Sequence, residues 1–386
     1  MMRRLLPLGL AALLVLTGCN KSKDVEQPAK LVVFPAKLPV RKIWNVNLGG
    51  GKHQMLLRLG LGPAVDDGVV YAASHKGEII AVKLDTGRRV WRKRLRLPLS
   101  AGPGAGFGMV VVGSSKGDIV ALSSATGREL WRTRVNSELL SAPAISEKVV
   151  VLRSVDGHLR GLDAENGKEE WSVEQVVPRL SLRGVATPVI AKETVVSGFD
   201  NGKIMAVNLN TGDTLWDATL AAPHGRTELE RLDDIDCAVV VIGDNIYAAG
   251  YHGRTAQLAL DSGQIWWAHD MSSDHGLAAD ADNVYVSQAD GVVVALRSRD
   301  GSEVWRNDKM KWRGLSAPVL TRTAVVVADY QGYVHWLDKA TGALVARTRV
   351  SKYRVSNAPL AVGDTVVILN DGGDLAAFRA VPRPTG

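Results

Sequence analysis

The sequence predicts an all-β fold: an eight-bladed β-propeller of four-stranded antiparallel blades, with its ring closed by the N-terminal strand. Three observations predict it. One pattern recurs eight times at intervals of about forty residues. The strands legible inside each copy are short and alternating. The last copy lacks an outer strand that the N-terminus can supply. Repeats of this length mark solenoids and propellers, and four short strands per unit is the make-up of a propeller blade.

The pattern is a Gly, an alternating strand ending in Ala-apolar, an Asp or other polar residue, Thr-Gly, and a Trp four residues on. The first copy runs from Gly77 through Ala81, Asp85 and Thr86-Gly87 to Trp91. The next five start at Gly117, Gly157, Gly202, Gly253 and Gly291 and close at Trp131, Trp171, Trp216, Trp267 and Trp305. The seventh, from Gly332, carries Ala346 where Trp is expected, and the eighth stops soon after Gly373 to Phe378. Spacings between the starting glycines are 40, 40, 45, 51, 38, 41 and 41. Within the first unit, Val69 to Ala73, Ile79 to Val82 and Val90 to Leu95 have strand composition. Asp-Thr-Gly makes the tight turn between the last two strands: Asp caps it and Gly accepts positive φ. The periodic Trp is a wedge against the neighbouring blade; Trp312 and Trp336 fall off the pattern. Ile43-Trp44-Asn45-Val46 supplies the strand missing from the eighth blade, removing an open sheet edge. One domain over residues 41–380 follows, with 381–386 as a tail.

The N-terminus reads as an export signal. Arg3 and Arg4 precede the apolar run Leu5 to Leu16, which is too short to cross a bilayer. It ends in Leu16-Thr17-Gly18-Cys19, which resembles the bacterial lipobox. Residues 1–18 are then removed and the Cys19 thiol carries lipid. Asn20, rather than Asp, favours the outer membrane, with Lys21-Ser22 at positions that some sorting rules also read. Residues 19–40, with Pro28, Pro35 and Pro39, are expected to be a lipidated flexible tether.

Composition limits the function. Net charge is +7, or +5 without Arg3 and Arg4, and it is spread along the chain, so no nucleic-acid partner is expected. Two cysteines invite a disulfide, but Cys19 has the lipid to carry and Cys237 precedes an apolar run, as a buried small hydrophobe would. The eight histidines are scattered without metal-ligand spacing. No Gly-x-Ser-x-Gly elbow occurs, and Gly49-Gly50-Gly51-Lys52 lacks the spacing of a phosphate loop. No enzyme, metal or cofactor is expected.

Linker lengths point to one sector. From the closing Trp to the next strand-opening position, Trp91 to Pro103 and Trp131 to Pro143 are each 12, and Trp305 to Pro318 is 13. Trp171 to Pro188 is 17 and Trp216 to Val239 is 23; Trp44 to Pro63, also long at 19, holds Gly49-Gly50-Gly51-Lys52 and is taken as a flexible turn. The linkers after Trp171 and Trp216 are consecutive, so they enter neighbouring blades, and long loops on a rigid scaffold concentrate function. One carries Leu180-Ser181-Leu182-Arg183-Gly184. The other carries an acidic stretch from Glu228 to Asp236. Together they offer an apolar centre with a charged rim.

The Ala-x-Asp-x-x-Thr-Gly-x-x-x-Trp pattern resembles the docking repeat of the eight-bladed pyrroloquinoline quinone (PQQ) dehydrogenases. Those enzymes need Ca²⁺ ligands, a carboxylate base and adjacent cysteines, and the chain has no cysteine pair. The lipobox, the eight blades, Leu180-Ser181-Leu182-Arg183 and Asp234-Ile235-Asp236 together resemble the BamB family of outer-membrane β-barrel assembly lipoproteins. That resemblance implies a non-catalytic scaffold at the periplasmic face of the outer membrane. It would bind the periplasmic POTRA domains of BamA through Leu180, Leu182, Arg183, Asp234 and Asp236, beside other assembly lipoproteins. Cys237-Ala238-Val239 departs from the Thr-Thr-Pro common there. The alternative is a glycan- or peptidoglycan-binding propeller, with Trp266, Trp312 or Trp336 exposed at its mouth.

Overall fold

The computed structural model describes residues 26–49, 59–178, 186–220, 239–251, 253–273 and 275–381. Among these, every regular element is a strand, and the strands form eight four-stranded antiparallel sheets. Blades 1 to 7 span 64–94, 99–134, 144–174, 189–219, 240–270, 277–307 and 319–349. Within each, the four strands pair in chain order, and the first strands of successive blades contact one another around the axis. Blade 8 contains Leu360–Val362, Thr365–Leu369 and Asp374–Ala380, and its outermost strand is Val40–Asn47. The expected ring closure is therefore present, with Trp44 paired to Ala377.

Each blade buries both faces against its two neighbours. Eight apolar clusters result, one per blade junction, including one between blades 8 and 1 around Trp44, Val70, Val82 and Val367. The middle strands are consequently continuous apolar runs: Val69–Ala73 and Met109–Ser114 are buried at every residue. The outer strands are different. In Arg89–Arg94 and its counterparts, the Trp is buried and the residues beside it are exposed.

The docking tryptophans act as the repeat predicts. Trp44, Trp91, Trp131, Trp171, Trp216, Trp267 and Trp305 each donate the indole N–H to a carbonyl of the next blade, at 2.7–2.9 Å. Each ring lies on the turn glycine of that blade. A Cβ on Gly167 (φ +73) would sit 2.4 Å from the Trp131 ring, so Gly is required twice, by conformation and by space. The residue paired across the hairpin from the Trp is small in most blades, as with Ala81 opposite Trp91 and Ala121 opposite Trp131.

Blade 7 reverses that pair. Trp336 stands on the third strand, opposite Ala346 on the fourth. The reason lies in blade 8, whose outer strand comes from the N-terminus, so no Thr-Gly hairpin exists there to receive a docking Trp. Trp336 is instead wholly buried, 6.1 Å from the Phe378 ring in an edge-on contact. Its N–H has no hydrogen-bond partner among the described residues.

The expected flexible tether differs over its described part. Lys37 and Leu38 donate N–H groups to the Val345 carbonyl at 2.9 and 3.0 Å, and Ala29 donates to Lys311 at 2.9 Å. Leu38 and Val40 pack on the cluster between blades 7 and 8. Residues 29–38 thus form a strap along the outer strand of blade 7. Pro35 and Pro39 suit this extended path, because the neighbouring residues donate the bonds that proline cannot.

Candidate functional site

Antiparallel order in every blade puts two features on one side of the ring, here called the loop face. They are the hairpin between second and third strands and the linker to the next blade. The two long linkers leave this face at equivalent points one blade apart. Gln175 donates its N–H to the Gly157 carbonyl at 3.0 Å, and Leu220 donates to Gly202 at 2.9 Å. The chain returns at Ala186 and Val239, both buried. The linkers therefore flank blade 4 on one face. Leu180, Leu182, Arg183, Asp234 and Asp236, as well as Cys19 and Cys237, lie outside the described residues.

Between blades 3 and 4 lies a buried ion pair that sequence reading missed. The Arg153 guanidinium of blade 3 meets the Asp200 carboxylate of the blade 4 hairpin at 2.9 Å, with side chains 0% and 3% exposed. Arg153 also stacks on Phe199, 4.4 Å from the ring centroid. Burial outweighs the pull of Arg153, so the Asp200 carboxyl is held above its ordinary range. The pair ties the blade 4 hairpin to blade 3. Its partners are far apart in the chain, so no local spacing announces it.

A second buried cluster fastens the strap. Arg313, in the linker between blades 6 and 7, contacts Asp329 at 2.7 Å and donates to the Ala29 carbonyl at 2.9 Å. Asp329 accepts from His335 at 3.1 Å, and Arg347 donates its Nε–H to His335 Nδ1 at 3.2 Å. Arginine only donates, so Nδ1 must accept and Nε2 must carry the proton to Asp329: the imidazole is neutral. Burial holds His335 below its ordinary pKa against the pull of Asp329. Burial also works to raise the Asp329 carboxyl, but His335 and Arg313 overcome it and keep it low. Arg347 reaches the strap, donating to the Val32 carbonyl at 3.0 Å and lying 5.0 Å from the Phe34 ring centroid.

Charge on the loop face is divided. The residue before the hairpin Gly is Lys76 in blade 1 and Lys116 in blade 2, but Asp156 in blade 3 and Asp290 in blade 6. The outer strand ends in Arg94 and Arg134 in blades 1 and 2, but in Asp270 in blade 5. His75, Lys76, Arg94, Arg96, Leu97 and Pro98 line an open cleft on blade 1. Across the ring, Asp270, Asp290, Tyr251 and Trp312 line another. Of the off-pattern tryptophans, Trp336 is buried, Trp312 is 39% exposed in that cleft, and Trp266 is 56% exposed on the outer strand of blade 5, away from the channel mouth.

Among the described residues, no three His, Cys, Asp or Glu side chains gather where a metal ion could be held.

Comparison with known proteins agrees with the architecture and narrows it. The family model described as outer membrane protein assembly factor BamB matches residues 41–98, 75–307 and 289–381. The outer membrane protein assembly factor BamB of Pseudomonas aeruginosa is 46% identical over 370 residues, covering 96% of this chain and 97% of that protein. The crystal structure of BamB from Moraxella catarrhalis superposes with a TM-score of 0.80 at 27% identity, over 88% of this chain and all of that one. The quinohemoprotein alcohol dehydrogenase of Comamonas testosteroni is similar at a TM-score of 0.68, over 89% of this chain and 77% of that one. Its 14% identity shows the shared propeller and nothing of the chemistry.

Proposed function

The chain belongs to the BamB family of outer membrane protein assembly factors, and from that premise we propose that it is a non-catalytic, lipid-anchored scaffold that binds the POTRA domains of BamA. The observation that carries the proposal is the departure of two long linkers from equivalent points on one face, flanking blade 4. A rigid ring presenting two adjacent loops can grip a small domain without paying to order the scaffold itself. In this reading Leu180 and Leu182 supply apolar burial. Arg183, Asp234 and Asp236 set register and orientation by charge. Cys19 carries the lipid and keeps the propeller at the periplasmic face of the outer membrane. No residue is assigned a chemical step; the scaffold holds the assembly machine or its clients in place.

The test is a pull-down from detergent-solubilised envelope with the chain tagged at its C-terminus. Wild type should recover a large outer-membrane barrel protein, and Leu182→Ala/Arg183→Ala should lose it while keeping the same melting curve. A folded double variant that recovers the barrel protein fully would refute the site. Exposed Trp312 beside Tyr251 favours a second reading, glycan binding. It predicts retention on peptidoglycan that Trp312→Ala abolishes.

A further inference from the structure

The strap and the charge division together bear on how the propeller meets a membrane. Counting toward the N-terminus, the strap reaches the loop face at Ala29, where its N–H bonds to Lys311 and its carbonyl accepts from Arg313. Only nine residues lie between Cys19 and Ala29, and the ten residue steps span at most about 35 Å. If Cys19 is lipidated, as proposed above, the leash leaves from the loop face and holds that face toward the bilayer.

One leash at blades 6 and 7 restrains position but leaves the ring free to tilt. The cationic sector on blades 1 and 2 lies on the other side of the same face. Lys76, Arg94, Arg96, Lys116 and Arg134 are all exposed there. Arg94 shares Glu78 with Arg92, at 3.4 and 2.8 Å. Lys76, Arg96 and Lys116 have no ion-pair partner among the described residues.

We propose that this cationic sector of the loop face, around Lys76, Arg96 and Lys116, docks on the phosphate headgroups of an anionic phospholipid surface and fixes the tilt of the ring. More than one acyl chain suffices for stable anchoring, so with Cys19 lipidated the contact serves orientation rather than anchorage. The sector across the ring, where Asp270 pairs with Arg254 at 3.3 Å and Asp290 stands beside the strap, is held near the surface by the leash rather than by charge. Each cation near an anionic leaflet is worth about a fivefold gain in partition, lost as salt shortens the Debye length.

The experiment uses the full chain with Cys19→Ser, so that binding does not depend on lipid, and vesicles of phosphatidylcholine with or without phosphatidylglycerol. Flotation should show binding to the anionic vesicles alone, abolished by salt. Lys76→Gln/Arg96→Gln/Lys116→Gln should lower it about a hundredfold, following the fivefold gain per cation. Asp270→Asn should leave it intact. The triple variant should still recover the barrel protein in the pull-down, because blade 4 is untouched; failure of that pull-down in wild type would strike the scaffold reading and leave this one standing. Equal binding to neutral vesicles, or full displacement by free glycerol phosphate, would overturn the proposal.

Discussion

Replacing Gly167 by Ala tests whether the docking tryptophan and the turn glycine form one unit. In the native structure Trp131 is 7% exposed, its N–H reaches the Ala164 carbonyl at 2.8 Å, and its ring lies on Gly167. Two costs arise from one methyl group. Gly167 has φ +73, and an L-residue in that region costs about 1–2 kcal/mol. The new Cβ would stand 2.4 Å from the Trp131 ring, and forcing such an overlap in a packed junction costs roughly 1–3 kcal/mol more. The expected total is about 2–5 kcal/mol. Trp131→Ala should cost about 3–5 kcal/mol as a large-to-small change. The two are not additive. Once the indole is gone, Gly167→Ala loses its steric part and should cost only about 1–2 kcal/mol. Urea unfolding of wild type, both singles and the double variant measures the cycle, with midpoints compared at constant m. A coupling energy near zero would refute the unit. A cost below about 1 kcal/mol for Gly167→Ala alone would refute even the conformational argument.

Three further predictions concern blade 7 and its strap. Ala346→Trp, which restores the repeat pattern, should destabilise by about 1–3 kcal/mol, because Trp336 already fills the space opposite and no hairpin waits in blade 8; a gain in urea midpoint would count against that account. Stability should fall as pH drops below about 6.5. The unfolded chain protonates His335 first while burial holds the folded imidazole neutral, so the loss begins at the unfolded pKa and ends below the folded one; His335→Gln should flatten that part of the curve. Arg347→Ala should free the strap, which hydrogen exchange would register as faster exchange of the Lys37 and Leu38 amides with blade amides unchanged; unaltered strap protection would show that apolar packing alone holds it.

Much of this molecule is legible without coordinates because its code is local. Strand, turn and wedge recur within each repeat of about forty residues. Gly87 and Trp91 lie four positions apart, and the structure places each on the contact the pattern implies, though Trp91 docks on the following blade and Gly87 receives Trp44. The open place in the eighth blade is legible by counting strands: a repeat of three strands needs an edge cover, and Val40–Asn47 is the spare strand, although the pairing joins residues more than three hundred positions apart. The consecutive long linkers are visible by counting.

Other features depend on which residues the closed ring brings together. Arg153 and Asp200 sit in different blades, and neither has a neighbour in sequence that announces a buried charge. Residues 29–38 lie in the stretch expected to be a tether, but only Lys30 and Lys37 among them are polar, and Arg347 and Arg313, some three hundred positions away, hold carbonyls of this segment and make it a strap. Trp336 and Ala346 look like lapses in a repeat until blade 8 is seen to lack the hairpin that a docking Trp would need. The local sequence determined the blades, their number and the strand that closes them, because hydrophobic period and turn chemistry act over a few residues. The tertiary structure alone decided the strap, the buried ion pairs and the division of charge across the loop face, because those arise from contacts that exist only once the ring has closed.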